Sequence, residues 1–217
     1  MGDRIADDLR ARIITGVLPA GTHLVEGALA DEYDVSRAPV REALQRLTVE
    51  RLVRDGRRRG VLVVGLSPSD IDELYSLRLA LEQLAFERAA TTEGPDSRWD
   101  PAREAIRTME NAAATQNIAL FGEADLLFHQ TYYRNAGHGR LEAFWDQYSP
   151  TFSVLFRLSI RPVSDLQRSV MEHVRLLEFA VKGDVDAGIR ELREHLTRAR
   201  QVMMRSVQGQ REDETLT

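Results

Sequence analysis

Apolar residues recur at helical spacing through most of the chain, and the departures from that pattern are confined to its first third. Ile5, Leu9, Ile13 and Ile14 repeat at three- and four-residue steps and stop at Gly16, which predicts a first helix. GVLPAGTHL is turn-rich and leads into a short strand or extended segment, and EGALADEY gives a short second helix that stops around Asp34-Val35. Ser36 stands at the N-cap of SRAPVREALQRLTVE, where Val40, Ala43, Leu44 and Leu47 form one apolar face and Arg37, Arg41 and Gln45 point elsewhere. The period then shortens. Leu52-Val53 and Val61-Leu62-Val63-Val64 read as two short strands around a loop containing Arg57, Arg58, Arg59 and Gly60. Two such strands are marginal alone and must pack on the helices.

Ser67-Pro68 suits a helix start and marks a boundary, giving a first domain at 1–66, a larger one at 67–209 and a polar tail at 210–217. The second domain reads as six helices: 69–91, about 101–115, 118–135, about 141–159, 163–182 and 185–206. In the first of them Ile71, Leu74, Leu77, Leu81 and Leu84 form the expected core face. Gly183 suits a left-handed cap and Asp184 an N-cap, and the short connections favour antiparallel neighbours. The expected fold class is mainly α: a winged helix-turn-helix followed by an antiparallel helical bundle.

Composition alters this picture at two points. The 217 residues include no cysteine, which excludes disulfides, thiolate metal sites and a cysteine nucleophile and leaves imidazoles, carboxylates and carbonyls for any metal. The net charge of −5 conceals a segregation: residues 37–60 hold 8 arginines against 3 acids. Two short helices, the second basic, followed by a glycine-bounded arginine loop match a DNA reader. A helix fits the major groove, where arginine can donate two hydrogen bonds to a guanine edge. Arg37, Arg41 and Gln45 are therefore expected to face bases, and Arg57, Arg58 and Arg59 to face the backbone or minor groove. Any one of these arginines alone is more simply a solvated side chain; the joint pattern carries the assignment. Without an 18-residue apolar run or a basic-then-apolar leader, a cytoplasmic protein with no membrane partner is the expectation.

The second domain carries different chemistry. Asp125 and His129 are four apart on one helix, and His173 and His195 lie in mid-helix on two others. A bundle can bring all four together, and one carboxylate with three imidazoles suits a divalent transition metal, Zn first, with Ni, Co, Fe or Mn also compatible. Packed, hydrogen-bonded imidazoles and an ordinary Asp–His pair satisfy the same pattern. Arg78 and Glu82, again four apart, read as an ion pair or as contacts to an anionic ligand.

IITGVLPAGTHLVEGALA, VSRAPVREALQRL and RRRGVLVV, in that order, resemble the GntR-type transcription regulators, and LYSLRLALEQLAFERAA, DLLFH, EHVRLLEFA and the HL of REHL resemble the FCD-type helical domain of their FadR-like branch. The resemblance spans nearly the whole chain. It implies DNA contact by Arg37 and Arg41, a wing around Arg59-Gly60, metal ligation by Asp125, His129, His173 and His195, and a small carboxylate effector, which Arg78 would complement. It further implies a homodimer on a palindromic operator, acting as a repressor; it permits six or seven bundle helices, and the length of the second domain favours six. Two departures stand out: Arg51 replaces a frequent glycine after the recognition helix, and Ala136-Gly137-His138 ends the third bundle helix, where His138 fits a capping role. A DNA-architectural protein without effector response is the alternative, and a metal-dependent enzyme lacks a separate general base.

Overall fold

Leu9, Val40, Ala43 and Leu47 are fully buried and the first and third helices pack together, so the apolar faces read from the sequence are the faces turned into the core. The computed structural model describes residues 1–56, 60–158 and 163–214, and the chain divides into two compact units, Met1–Ser67 and Pro68–Thr217. The expected loop arginines Arg57, Arg58 and Arg59 lie outside the described residues.

The first unit runs α1 (Gly2–Ile14), β1 (His23–Leu24), α2 (Glu26–Glu32), α3 (Arg37–Val49), β2 (Val53–Asp55) and β3 (Val61–Val63). The extended segment expected after GVLPAGTHL is a strand, and it adds to the expected pair to make a sheet of three. β1 joins the antiparallel pair with His23 opposite Leu62, giving the order β1-β3-β2. A buried fork joins α1 to the end of α3: Arg10 donates from Nε and Nη2 to the two oxygens of Glu50, both at 2.6 Å. Ser36 occupies the N-cap position but its side chain makes no capping bond. Pro39, third in the helix, has no N–H to offer it, which removes one of the two usual donors. Arg51 keeps the turn that glycine would favour, at φ +60°, with Leu52 N–H bonded back to Leu47 O at 3.0 Å.

The second unit contains α4 (Pro68–Thr91), a 3-10 turn (Asp96–Trp99), α5 (Asp100–Ala114), α6 (Ile118–Asn135), α7 (Gly139–Leu158), α8 (Val163–Lys182) and α9 (Val185–Glu214). α6 packs on α4, α5 and α7, and α9 on α4, α7 and α8. The α4–α9 approach is close because Gly188 lies against the Phe86 ring. Gly183 takes φ +70° and Asp184 accepts from Ala187 N–H at 3.2 Å, as the break there requires. α9 runs past the expected stop at Ser206 to Glu214, since nothing in QREDE opposes a helix.

The core face of α4 is not the leucine repeat. α4 buries Ile71, Tyr75, Arg78, Glu82, Ala85, Phe86 and Ala89, which turns Leu77 and Leu84 outward to 44% and 40% exposure. A polar pair satisfied inside the bundle outranks the hydrophobic count, because the pair anchors a buried network that leucines cannot join.

Candidate functional site

On the first unit, Arg37, Arg41 and Gln45 all lie on the exposed side of α3, opposite Val40, Ala43, Leu44 and Leu47. Arg41 forks onto Glu26 of α2, Nε to Oε1 at 3.1 Å and Nη2 to Oε2 at 2.8 Å, and this contact holds the Glu26 carboxyl below its ordinary range. The neck of the β2–β3 loop is pinched by Gly56 N–H bonding to Gly60 O at 2.8 Å. Gly60 sits at φ +84°, where a Cβ would lie 2.2 Å from Leu24 O, so a side chain there would force β1 away.

In the second unit the helices converge on a buried cluster. α6 places Asp125 and His129 one turn apart, α8 brings His173 and α9 brings His195. One donor atom from each of the four lies within 4.8 Å of the others. The imidazoles are ordered by what holds their Nδ1 atoms. His129 Nδ1 meets Glu82 Oε1, His173 Nδ1 meets Ser169 O at 2.7 Å, and His195 Nδ1 meets Glu172 Oε2 at 2.9 Å. Every one of these partners is an acceptor, so Nδ1 carries the proton and Nε2 keeps its lone pair. The Nε2 atoms of His129 and His173 are buried with no hydrogen-bond partner among the described residues. His173 Nε2 lies 3.2 Å from Asp125 Oδ1 and His129 Nε2 3.9 Å from Oδ2, both outside hydrogen-bonding geometry.

The electrostatics suit that arrangement. Burial lowers His195 to about 4 despite the Glu172 bond, and burial likewise lowers His129, so both are neutral near pH 7. Burial would raise Glu82, but His129 and Arg78 hold it at about 2; burial would raise Glu172, but His195 and Arg198 also hold it at about 2. Three lone pairs and an ionised carboxylate are the donor set a divalent ion needs, and their outer hydrogen bonds fix the ring orientations.

Arg78 lies beside this cluster, donating from Nε to Glu82 Oε2 at 3.0 Å, with its guanidinium carbon 4.9 Å from the Phe152 ring centre and 5.3 Å from that of Trp145. Its Nη2 is buried without a hydrogen-bond partner among the described residues, and Arg78 lines a small cavity with Tyr75, Asp125, Phe152 and His195. Glu82, expected beside Arg78 as a ligand contact, has both oxygens taken by His129 and Arg78, so its geometry is that of an orienting group. His138 is not part of the four-residue cluster and caps α7, Nδ1 accepting from Leu141 N–H at 3.3 Å. Sequence reasoning missed Glu172 and Ser169. Glu172 adjoins His173 in the chain yet serves His195 on another helix, which no spacing rule reveals.

Comparison with known proteins matches residues 1–63 to the bacterial regulatory proteins of the gntR family and residues 73–198 to the FCD domain. The chain belongs to the GntR family and carries an FCD domain. Membership in this family makes it a DNA-binding transcriptional regulator rather than an enzyme. The gluconate operon transcriptional repressor of Bacillus licheniformis is 31% identical over 98% of this chain and 85% of its own length. A putative transcriptional regulator GntR from Rhodococcus sp. RHA1 shares the fold at TM-score 0.68 with 25% identity, over 94% of this chain and 97% of that one. The Zn2+-bound FCD domain of TM0439 aligns at TM-score 0.50 and 20% identity, over 66% of this chain and 97% of that one, a likeness of fold. Among the described residues, no helix of this GntR-family chain is long and apolar enough to cross a membrane.

Proposed function

We propose that this GntR-family protein is a repressor whose DNA affinity is set by a small organic acid bound at a metal centre in the FCD domain. The observation that carries the reading is the pair of buried, unpartnered Nε2 atoms of His129 and His173, aimed with Asp125 and His195 at common ground while their Nδ1 atoms are tied down. Leaving such lone pairs dry and unused costs stability, and an ion that accepts them removes the cost. Asp125, His129, His173 and His195 would hold the ion, Zn before Ni, Co, Fe or Mn, and a bound ion of this kind offers a carboxylate a coordination position. The unpaired Nη2 of Arg78 supplies a charge-assisted donor for the same carboxylate. Because the Bacillus licheniformis relative is a gluconate operon repressor, D-gluconate is the first acid to test.

In the DNA-binding unit, Arg37, Arg41 and Gln45 would read bases from α3, while Arg57, Arg58, Arg59 and Gly60 would form the wing contact. A two-fold dimer explains how two recognition helices meet a palindromic operator. Exposed Leu77 and Leu84, with half-buried Leu74 and Leu81 beside them, follow a seven-residue apolar pattern suited to a second copy of the same helix, which supports self-association through α4.

The test combines elemental analysis with fluorescence anisotropy on a duplex selected from a random library. About one ion per chain is expected, and lost in His129→Ala; sugar acids should release the DNA, and Arg41→Ala should weaken its binding about tenfold or more. A metal-free chain that binds DNA indifferently to such acids would support the architectural alternative instead.

A further inference from the structure

A second cavity, of about 240 Å³, lies between α8 and α9 next to the Glu172–His195 hydrogen bond. Three guanidinium groups line it, those of Arg168, Arg198 and Arg205. Glu172 is already committed, Oε1 accepting from Arg168 Nε at 3.0 Å and facing Arg198 Nη2 at 2.8 Å, while Oε2 serves His195. Asp165 also lines the cavity, so three guanidinium groups face two carboxylates there, an excess of one positive charge. Two polar atoms in those walls are buried without a hydrogen-bond partner among the described residues: the hydroxyl of Ser169, a residue only 6% exposed, and Nε of Arg198. Nothing in the helix requires a hydroxyl at Ser169, since it is the backbone carbonyl that orients His173. A buried hydroxyl left unpaired at a cavity wall points to a group that enters the cavity and pairs with it.

We propose that this cavity, which adjoins the pocket beside Arg78 across His195 and Ala199, is a second ligand site and that it takes a small hydroxylated carboxylate. The guanidinium forks of Arg168 and Arg198 pair with the carboxylate, as such forks do best. Ser169 and Gln201 serve the hydroxyl groups. A volume below that of pockets for drug-sized ligands restricts the site to compact acids.

Occupancy is coupled to the ion site through Glu172, and this part rests on the metal reading above. A carboxylate that draws Arg168 and Arg198 toward itself withdraws positive charge from Glu172, which then accepts more strongly from His195 Nδ1–H. That raises the basicity of the imidazole as a ligand. The ligand thus tightens the ion, and by reciprocity the ion tightens the ligand.

Calorimetric titration of the metal-depleted full-length chain with D-gluconate, with zinc, and with zinc in the presence of D-gluconate tests both parts in wild type, Arg168→Gln and Ser169→Ala. Arg168 is mostly exposed, and Ser169→Ala removes only an unpaired hydroxyl, so each variant checks the other if one loses its circular-dichroism melting transition. D-Gluconate should bind wild type, roughly threefold to tenfold more weakly to Ser169→Ala and about tenfold or more weakly to Arg168→Gln. Zinc affinity should rise about fivefold or more when D-gluconate is present in wild type, and by a clearly smaller factor in Arg168→Gln, where only an acid held directly at the ion still contributes. Equal D-gluconate affinity in all three chains overturns the site while leaving the effector reading at Arg78 intact. Absence of saturable binding to wild type also overturns it, and DNA release by another small acid in that sample would still uphold the effector reading. Zinc affinity that ignores bound D-gluconate overturns the coupling.

Discussion

Glu82 has two oxygens and two buried partners, His129 and Arg78, and the chemistry of the site depends on its charge. Glu82→Gln keeps the shape, but it leaves Arg78 a buried cation without its anion and offers His129 a weaker acceptor. Zinc binding, followed by competition with a chromogenic chelator, should weaken roughly 10- to 100-fold, with the melting temperature lowered as well. Unchanged zinc affinity would remove Glu82 from the ion's supporting shell. The spacing of Arg78 and Glu82 made their pairing legible in the sequence, as it did the shared face of Asp125 and His129. What spacing could not show was the histidine that each carboxylate orients. Glu82 reaches His129 from another helix, and Glu172 reaches His195 although its chain neighbour is His173, because only tertiary packing decides such contacts.

At the level of elements, helix ends carry much of the local strain. Asp34, Arg51 and Gln116 hold the left-handed conformation at φ 51°, 60° and 55°. Gln116 follows α5 in a turn closed by Asn117 N–H to Ala112 O at 2.9 Å. Gln116→Gly should relieve about 1 kcal/mol and raise the melting temperature by a few degrees, measured by circular dichroism. Gly188→Ala should act in the opposite direction, since its Cβ would fall 2.1 Å from the Phe86 ring; a loss of about 1–3 kcal/mol is expected from denaturant titration. The limits of α6 and α8 were readable because breakers and caps bound them, Gly183 among them. The inward face of α4 was not, because its apolar count ranks leucines above the charged pair that actually lies inside. The missing bond at Ser36 was readable in principle, from Pro39 at a position where the cap needs an N–H.

At the level of the molecule, a chain of net charge −5 reads nucleic acid because its charge is segregated, with 8 arginines against 3 acids between residues 37 and 60. The helical unit has its own segregation, of polar groups toward one buried point. α6, α8 and α9 each send at least one member of the Asp–His cluster to that point, and α4 sends Glu82, whereas α5 sends none. An ion bound there is a shared staple on four helices, so its removal should act on backbone opening and not only on four side chains. Amide hydrogen exchange followed by mass spectrometry, with and without a chelator, would read this peptide by peptide: α4, α6, α8 and α9 should lose protection together while α5 changes least. Exchange that rises only beside His195 would mean that the four helices open independently of one another.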